Sequence, residues 1–338
     1  MSDPSFLPDG VLVLPRLRVQ NANAISSPLT WGFPSPTAFL GFVHALERRL
    51  AKRFGVTFGG VGIICHAFDA QTFRPNRRQH LVFTQTRNPV YLKRDAAKFI
   101  AEGTPSAIVE EGRTHLEVSL VIAVSGNFEE AQQEQGFADV AHDVAMSMRI
   151  AGGSVLPALG PRTPQAYYIP WPSTLVERRK AFVRLRRRLI PGFALVHRPD
   201  LLEERLTELQ ATNEGATALD ALLDLTRLNH VPAEQQSEGK VEWHLEKRPG
   251  WVVPLPVGYA GLSHLYAPGE VAGARDGVTP FRFVESLYSL GQWIGPHRLG
   301  QLDQLLWNSA ADVNAGLYQC VNRYSEFVEL RTATEPNT

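Results

Sequence analysis

Cysteine is almost absent: Cys65 and Cys320 are the only two in 338 residues, too few for a disulfide framework and in keeping with a reducing compartment. Surplus charge is absent as well. Lys+Arg and Asp+Glu stand at 34 each, so the chain as a whole exerts no net pull on nucleic acid or anionic membrane, and any basic site has to be local. No run of about 18 apolar residues occurs. Residues 1–8 hold no charged segment leading into an apolar one. Membrane insertion and secretion are therefore not expected, and the expected location is cytoplasmic.

Catalytic constellations are equally scarce. Gly60-Val61-Gly62 begins like a dinucleotide fingerprint, but Cys65 stands where the third glycine belongs and no helix opens there. Gly153-Ser154-Val155 lacks the second glycine of a nucleophile elbow, and no Gly-Lys-Ser/Thr phosphate loop occurs. Cys65 and His66 are adjacent without a second Cys or His pair at zinc-ligand spacing, so a buried thiol beside a polar histidine is the better reading. Asp220 and Asp224 share a helix face, which usually means a solvated acidic surface. No cofactor and no metal is expected. His44 is a candidate general base for cleaving RNA at the 2′-hydroxyl. It lies off the apolar stripe of its helix, and with neither a placed acid nor a second base it reads better as a surface histidine. The expectation is a protein that is not an enzyme; the competing readings are an endoribonuclease built on His44 and a metabolic α/β enzyme.

What is present is a regular pattern of elements. Residues 11–20 are β-rich and end by alternating apolar with polar, a first strand that Pro15 makes an edge or a bent strand. Ser35 and Pro36 suit the N-cap and first position of a helix, along which Phe39, Val43, Leu46 and Leu50 repeat at helical spacing. Residues 60–69 form a continuous apolar stretch suited to a buried strand, and residues 81–86 a shorter one. Leu116, Val118, Leu120, Ile122 and Val124 alternate as a long strand. Phe137, Val140, Ala141, Val144, Ala145 and Met148 mark another helix, for which Gly152-Gly153 is a suitable cap. Strand, helix, strands, helix is the order of an α+β, ferredoxin-like or RNA-recognition-type sheet with helices on one face.

Beyond Pro157 a Pro-rich connector, residues 161–172, precedes a mostly helical block. Residues 177–188 hold seven basic residues in twelve positions, and Leu175, Phe182, Leu185 and Leu189 give that helix a core-facing stripe. Helical patterns over residues 201–210 and 219–228 are acidic on balance, and residues 233–240 form a polar linker. In the C-terminal part, residues 251–259 read as extended, 280–294 as a helix capped by Thr279, and 298–307 as a second helix; residues 332–338 read as a disordered tail. The expected division is an RNA-recognition-like core over residues 1–160, a helical insertion with the basic helix over 161–240, and a C-terminal α+β extension over 241–338 that packs back on the core.

The positive functional signals are basic and aromatic. The loop from Arg74 to Lys98, the helix with Arg178, Arg179, Lys180, Arg184, Arg186, Arg187 and Arg188, and Arg16, Arg18 and Arg149 suit phosphates, while Asn21, Asn23, Ser26 and Ser27 suit sugars or bases. Trp31 and Phe33, in a loop flanked by Pro and Gly, suit stacking on unpaired bases or plugging of the core. An Arg-rich helix is equally compatible with simple solvation.

The stretch Leu14-Pro-Arg-Leu-Arg-Val-Gln-Asn-Ala-Asn-Ala-Ile-Ser-Ser-Pro-Leu-Thr-Trp-Gly-Phe-Pro-Ser-Pro36 resembles the second subunits of the Csy complex, the type I-F CRISPR surveillance assembly. So do Ile108-Val-Glu-Glu-Gly-Arg-Thr-His-Leu-Glu-Val-Ser-Leu120, Arg149-Ile-Ala-Gly-Gly-Ser154, Leu189-Ile-Pro-Gly-Phe-Ala-Leu195 and Gly295-Pro-His-Arg298. The resemblance implies a Cas-five-type member of the RAMP group that is not catalytic. It implies that the chain holds the 5′ handle of the CRISPR RNA, pairs with the large subunit as a heterodimer, contacts the adjacent backbone subunit, and meets target DNA indirectly. The matched polar positions Arg18, Gln20, Asn21, Asn23, Ser26, Ser27, Arg113, His115, Arg149 and Ser154 take RNA-binding roles under it, with Gly152 and Gly153 allowing close backbone approach to phosphate. The basic helix is added from charge alone, facing nucleic acid or a partner. One departure stands out: no aromatic motif of the Arg-Gly-Phe-Gly-Phe kind occurs, so base stacking on the central strands is not implied.

Overall fold

The computed structural model describes residues 8–75, 81–88, 93–103, 107–126, 128, 130–157, 164–233, 241–246 and 250–328. Arg77 and Arg78 of the basic loop, residues 161–163 of the connector, residues 234–240 of the linker and the tail from 332 to 338 lie outside these. The N-terminal half runs β1 (Gly10–Asn23), α1 (Pro36–Phe54), β2 (Thr57–Ala70), β3 (Thr72–Phe73), β4 (Val82–Phe83), β5 (Gln85–Asn88), α2 (Lys93–Ala101), β6 (Ala107–Glu110), β7 (Arg113–Ser125), α3 (Ala131–Met146), β8 (Arg149–Ile150), β9 (Gly153–Leu156) and β10 (Tyr167–Pro170). There follow α4 (Leu175–Arg188), β11 (Phe193–His197), α5 (Pro199–Thr212), α6 (Ala218–Thr226), β12 (His230–Pro232), β13 (Trp243–Leu245), β14 (Val252–Gly261), β15 (Val284–Ile294), β16 (Leu306–Asp312) and β17 (Leu317–Asn322). The fold is α+β around one large antiparallel sheet, in which β2, β7, β1, β9 and β8 lie side by side in that order.

β1 is a central strand, which corrects the edge placement that Pro15 suggested. It pairs with β7 along one side; along the other it pairs with β10 at residues 10–13 and with β9 at residues 18–20. Pro15 sits where the second partner changes and where the register with β7 shifts between Leu14 and Leu17, so neither ladder needs its missing N–H. The strand is bent there, as expected.

The sheet is covered on both faces rather than one. Leu12, Leu14, Leu17 and Val19 of β1 and the even-numbered residues of β7 from Leu116 to Val124 pack with α1 and α3 through Phe39, Val43, Leu46, Leu50, Phe137 and Ala141. Ser35 caps α1 by accepting from the Thr37 amide. On the opposite face Val11, Val13, Val121 and Ala123 receive Phe182, Leu185 and Leu189 of the α4 segment. Leu175 does not share that stripe: it is the first residue of α4 and is 73% exposed. α3 stops at Met146 with Ser147 as its C-cap, so Gly152 and Gly153 do not cap it; Gly152 lies in the turn that joins β8 to β9, and Gly153 opens β9.

Two further expectations are overturned. Residues 284–294 form a strand, not a helix, and in place of the helix expected over 298–307 there are 3-10 turns at Pro296–Arg298 and Leu302–Gln304 before β16 begins at Leu306. β15 lies between β11 and β14 and carries a buried run from Ser289 to Gly291, so the alternation that marks a half-exposed strand is missing. β11 and β16 each pair with successive stretches of β2, at residues 64–65 and 61–62. β2, β11, β15, β14, β17 and β16 thus form a closed circuit of paired strands. Trp307 is fully buried there and donates its indole N–H to the Leu195 carbonyl at 2.8 Å.

Candidate nucleic-acid interface

Two bulges in β1 decide which side chains meet solvent. The first, at Arg16 (φ 49°), inserts one residue, so that Leu17 and Val19 continue the apolar face while Arg18 and Gln20 point the other way. The second, at Asn21 (φ 59°), returns Ala22 to the core and leaves Asn21 exposed. On β7, Arg113 and His115 share the face of Arg18 and Gln20, beyond the part covered by α4.

The β8–β9 hairpin completes the site. Ile150 pairs with Gly153 across a two-residue turn in which Ala151 (φ 48°) and Gly152 (φ 77°) are both left-handed. That is the requirement of a type I′ turn, and alanine meets it only with strain. Two interactions hold it: Asn23 donates its amide to the Ala151 carbonyl at 2.8 Å, and Gly153 lies against β1, where a Cβ would fall 2.7 Å from the Ala22 nitrogen. Arg149 and Ser154 pair with one another, and Ser154 also pairs with Gln20.

The result is an open polar depression of about 410 Å³ lined by Gln20, Asn21, Gln71, Glu111, Arg113, Arg149, Gly152 and Ser154. A smaller recess of about 130 Å³ beside it is lined by Arg18, Gln20, His115 and apolar neighbours. His115 Nδ1 lies 3.3 Å from the Asn21 backbone nitrogen and its Nε2 3.1 Å from the Gln71 side-chain nitrogen, two donors of which a neutral imidazole accepts from one. Arg113 contacts Glu111 at 3.4 Å. Arg149 bonds the Gly152 carbonyl at 3.2 Å, Arg18 the Pro157 carbonyl at 3.1 Å, and neither has a carboxylate partner among the described residues. The depression thus holds amides, a hydroxyl and incompletely neutralised guanidiniums, the group set that suits phosphate and ribose. Gln71 and Glu111 carried no pattern that marked them in the sequence.

The other residues named from sequence are placed differently. Asn23 closes an Asx turn on Ile25, its Oδ1 accepting from the Ile25 amide at 3.1 Å. Ser26 accepts the Ser35 amide at 3.2 Å, and buried Ser27 is 2.7 Å from Thr30. Phe33 packs on the core, stacked on Phe39 with centroids 5.5 Å apart and edge-on to Trp293 at 4.9 Å. Trp31 stays 61% exposed and touches Phe83 edge-on.

Behind the site a hydrogen-bonded relay joins the first bulge to the end of the basic helix. The Arg16 amide donates to Ser119 Oγ at 2.9 Å, and Ser119 lies 2.7 Å from His66 Nε2. His66 Nδ1 meets the Pro191 carbonyl, which fixes its proton on Nδ1 and makes Nε2 the acceptor. Burial lowers the His66 pKa in spite of the Pro191 bond. Arg16 also forms an ion pair with Glu117. In α4, Arg178 and Arg186 turn to the Pro172 and Leu299 carbonyls, and Arg188 lies over the Tyr167 ring at 5.1 Å. Arg179, Lys180, Arg184, Arg187 and Arg188 are exposed. His44 sits exposed on α1 with Glu47 3.8 Å away, and the Cys65 thiol donates to the Ala67 carbonyl and is pushed up to about 12 by burial.

The sequence matches the protein family described as CRISPR-associated protein (Cas_Csy2) over residues 12–320. A relative, the CRISPR-associated protein Csy2 of Pseudomonas aeruginosa (strain UCBPP-PA14), is 49% identical over 319 residues, which cover 92% of this chain and 95% of that protein.

Proposed function

Since the chain belongs to the Csy2 family of CRISPR-associated proteins, the second subunits of the type I-F Csy complex, we propose that it acts there as a non-catalytic clamp on the 5′ handle of the CRISPR RNA. The observation that carries this reading is the convergence of three distant segments on the polar depression and the recess beside it: residues 18–21 of β1, residues 111–115 at the start of β7, and residues 149–154 of the hairpin. Guanidiniums of Arg149, Arg113 and Arg18 neutralise phosphates, Gln20, Asn21 and Ser154 bond sugars or base edges, and Gly152 admits the backbone closely.

The sheet order β9-β1-β7-β2, with α1 and α3 on one face, supports an RNA-recognition-type core over residues 1–160. In this reading residues 161–240 are an insertion that contributes α4, and 241–338 a C-terminal part whose β16 lies beside β2 of the core. Because α4 covers part of the opposite sheet face, the RNA is held at the strand ends rather than on central aromatic residues. In this reading the chain works in the cytoplasm, docks the large subunit and the adjacent backbone subunit, and meets target DNA only through the assembly. His44, on the α1 side of the sheet, takes no part.

Coexpression of the full chain with its complex partners and a guide RNA tests the reading. Arg149→Glu combined with Gln20→Ala should leave the protein folded but strip guide RNA from it at moderate salt. Guide retention equal to that of the unchanged chain would refute the assignment.

A further inference from the structure

We propose that the outward face of α4 is a second contact for the same RNA strand, one that grips phosphates without reading bases. This inference rests on the assignment of the depression to RNA. Lys180, Arg184 and Arg188 lie in one i, i+4, i+8 row that spans about 12 Å, flanked by Arg179 and Arg187, and all five are exposed. The single acid of the helix, Glu177, sits at its start and bonds the Thr174 hydroxyl at 2.8 Å. None of the five has a carboxylate partner in an ion pair among the described residues. Like charges stacked at i, i+4 repel, and a polyanion lying along the face relieves that repulsion. Arg178 and Arg186 show the contrasting behaviour, since both are anchored on carbonyls.

Beside three of these cations lies an open surface groove of about 510 Å³, lined by Arg179, Lys180, Val183 and Arg184, with no aromatic ring and no amide. Such a lining recognises a phosphodiester backbone and has nothing with which to read a base. Continuity selects the strand. α4 packs on the sheet face to which Arg18 and Gln20 point, and its C-terminal end is tied through the Pro191 carbonyl, His66 and Ser119 to the Arg16 bulge, two residues from Arg18. A strand leaving the depression along that face passes Arg16 and meets Arg188, then Arg184, then Lys180. The length of RNA held is set by both sites together.

The test compares full-length protein with the variant Lys180→Gln/Arg184→Gln/Arg187→Gln, using single-stranded RNAs of about 4 and about 16 nucleotides, the range that single-strand sites span. Binding is measured as a function of salt, and equal melting temperatures verify that both proteins are folded. The longer RNA should lose about 2 units of slope in log K against log salt, about 0.7 for each cation removed, while the shorter RNA is unaffected. An unchanged slope with the longer RNA overturns the proposal. So does a loss confined to duplex DNA, a loss of partner subunit in place of RNA, or an equal loss for both RNA lengths. Arg149→Gln in parallel separates the two readings: it should weaken both RNAs, and if it weakens neither, the depression assignment fails independently of α4.

Discussion

Gly153 lies so close to β1 that a Cβ on it would fall 2.7 Å from the Ala22 nitrogen and 2.8 Å from the Gln20 carbonyl oxygen. This contact sets the hairpin against the strand and thereby fixes where Arg149 and Ser154 stand relative to Gln20. Gly153→Ala must push the two strands apart, at a cost of about 1–3 kcal/mol, and should weaken RNA binding. Gly152 has open space around a left-handed backbone, so Gly152→Ala should cost about 1 kcal/mol in strain and leave the hairpin seated on β1, its methyl meeting only the RNA. Denaturant unfolding of both variants measures the difference, with Gly153→Ala the less stable; the reverse order would contradict it.

Arg149 and Arg113 line the same depression in different electrostatic states. Glu111 stands 3.4 Å from Arg113, whereas Arg149 has only a carbonyl. Arg149→Gln should therefore lower the salt dependence of RNA binding by about 0.7 in slope, the value of one released counterion on a single strand. Arg113→Gln frees the Glu111 carboxylate beside the RNA, so its affinity should fall further at low salt than at high salt. Filter binding across a salt series separates the two patterns.

Trp31 and Phe33, two residues apart, have opposite environments. Phe33→Ala removes a ring stacked on Phe39 and edge-on to Trp293, and should destabilise the fold by about 3 kcal/mol. Trp31→Ala removes a side chain that is 61% exposed and should stay within about 1 kcal/mol of the unchanged chain. Thermal unfolding of the two variants checks the ranking.

How far the sequence revealed the fold depends on burial. α1 was legible because Ser35, Pro36 and the stripe from Phe39 to Leu50 all agree, and β7 because its polar residues alternate with buried ones. β15 was not, since a strand buried by neighbours on both sides loses alternation and its apolar residues then fall at helical spacing. β17 and most of β16 were not read from the sequence, although Asn314 and Gly316 mark the turn between them. At the candidate site, Arg18, Asn21 and Arg149 stood out by residue type, Gln20, Arg113, His115 and Ser154 took their roles only from the family resemblance, and neither bulge was legible. Gln71 and Glu111 were not, because their place depends on the pairing of β2 with β7 and on the loop ahead of β7, which no local pattern records. Ser26, Ser27 and Asn23 share the composition of binding residues, yet their side chains close local turns.

His197 gives the fold a definite response to acid. Burial pushes its pKa from 6.5 down to about 4, with Asp200 acting weakly in the opposite sense. The imidazole is therefore neutral in the folded chain, beside Ser289 at 2.9 Å, while the unfolded chain takes up a proton below its ordinary value. Stability from this group is present above pH 6.5 and is lost as the pH falls towards about 4; the loss is on the order of 3 kcal/mol. Melting temperatures between about pH 7 and about pH 4 should fall less steeply in His197→Gln than in the unchanged chain. Equal slopes would contradict the assignment.

Photo-crosslinking of the assembled complex, with a guide RNA carrying 4-thiouridine in its 5′ handle, tests the central claim most directly. The account predicts crosslinks from handle nucleotides to peptides containing Gln20 and Asn21, Arg113 and His115, and Arg149 to Ser154. Handle crosslinks confined to other subunits, with these three peptides unmodified, would contradict it.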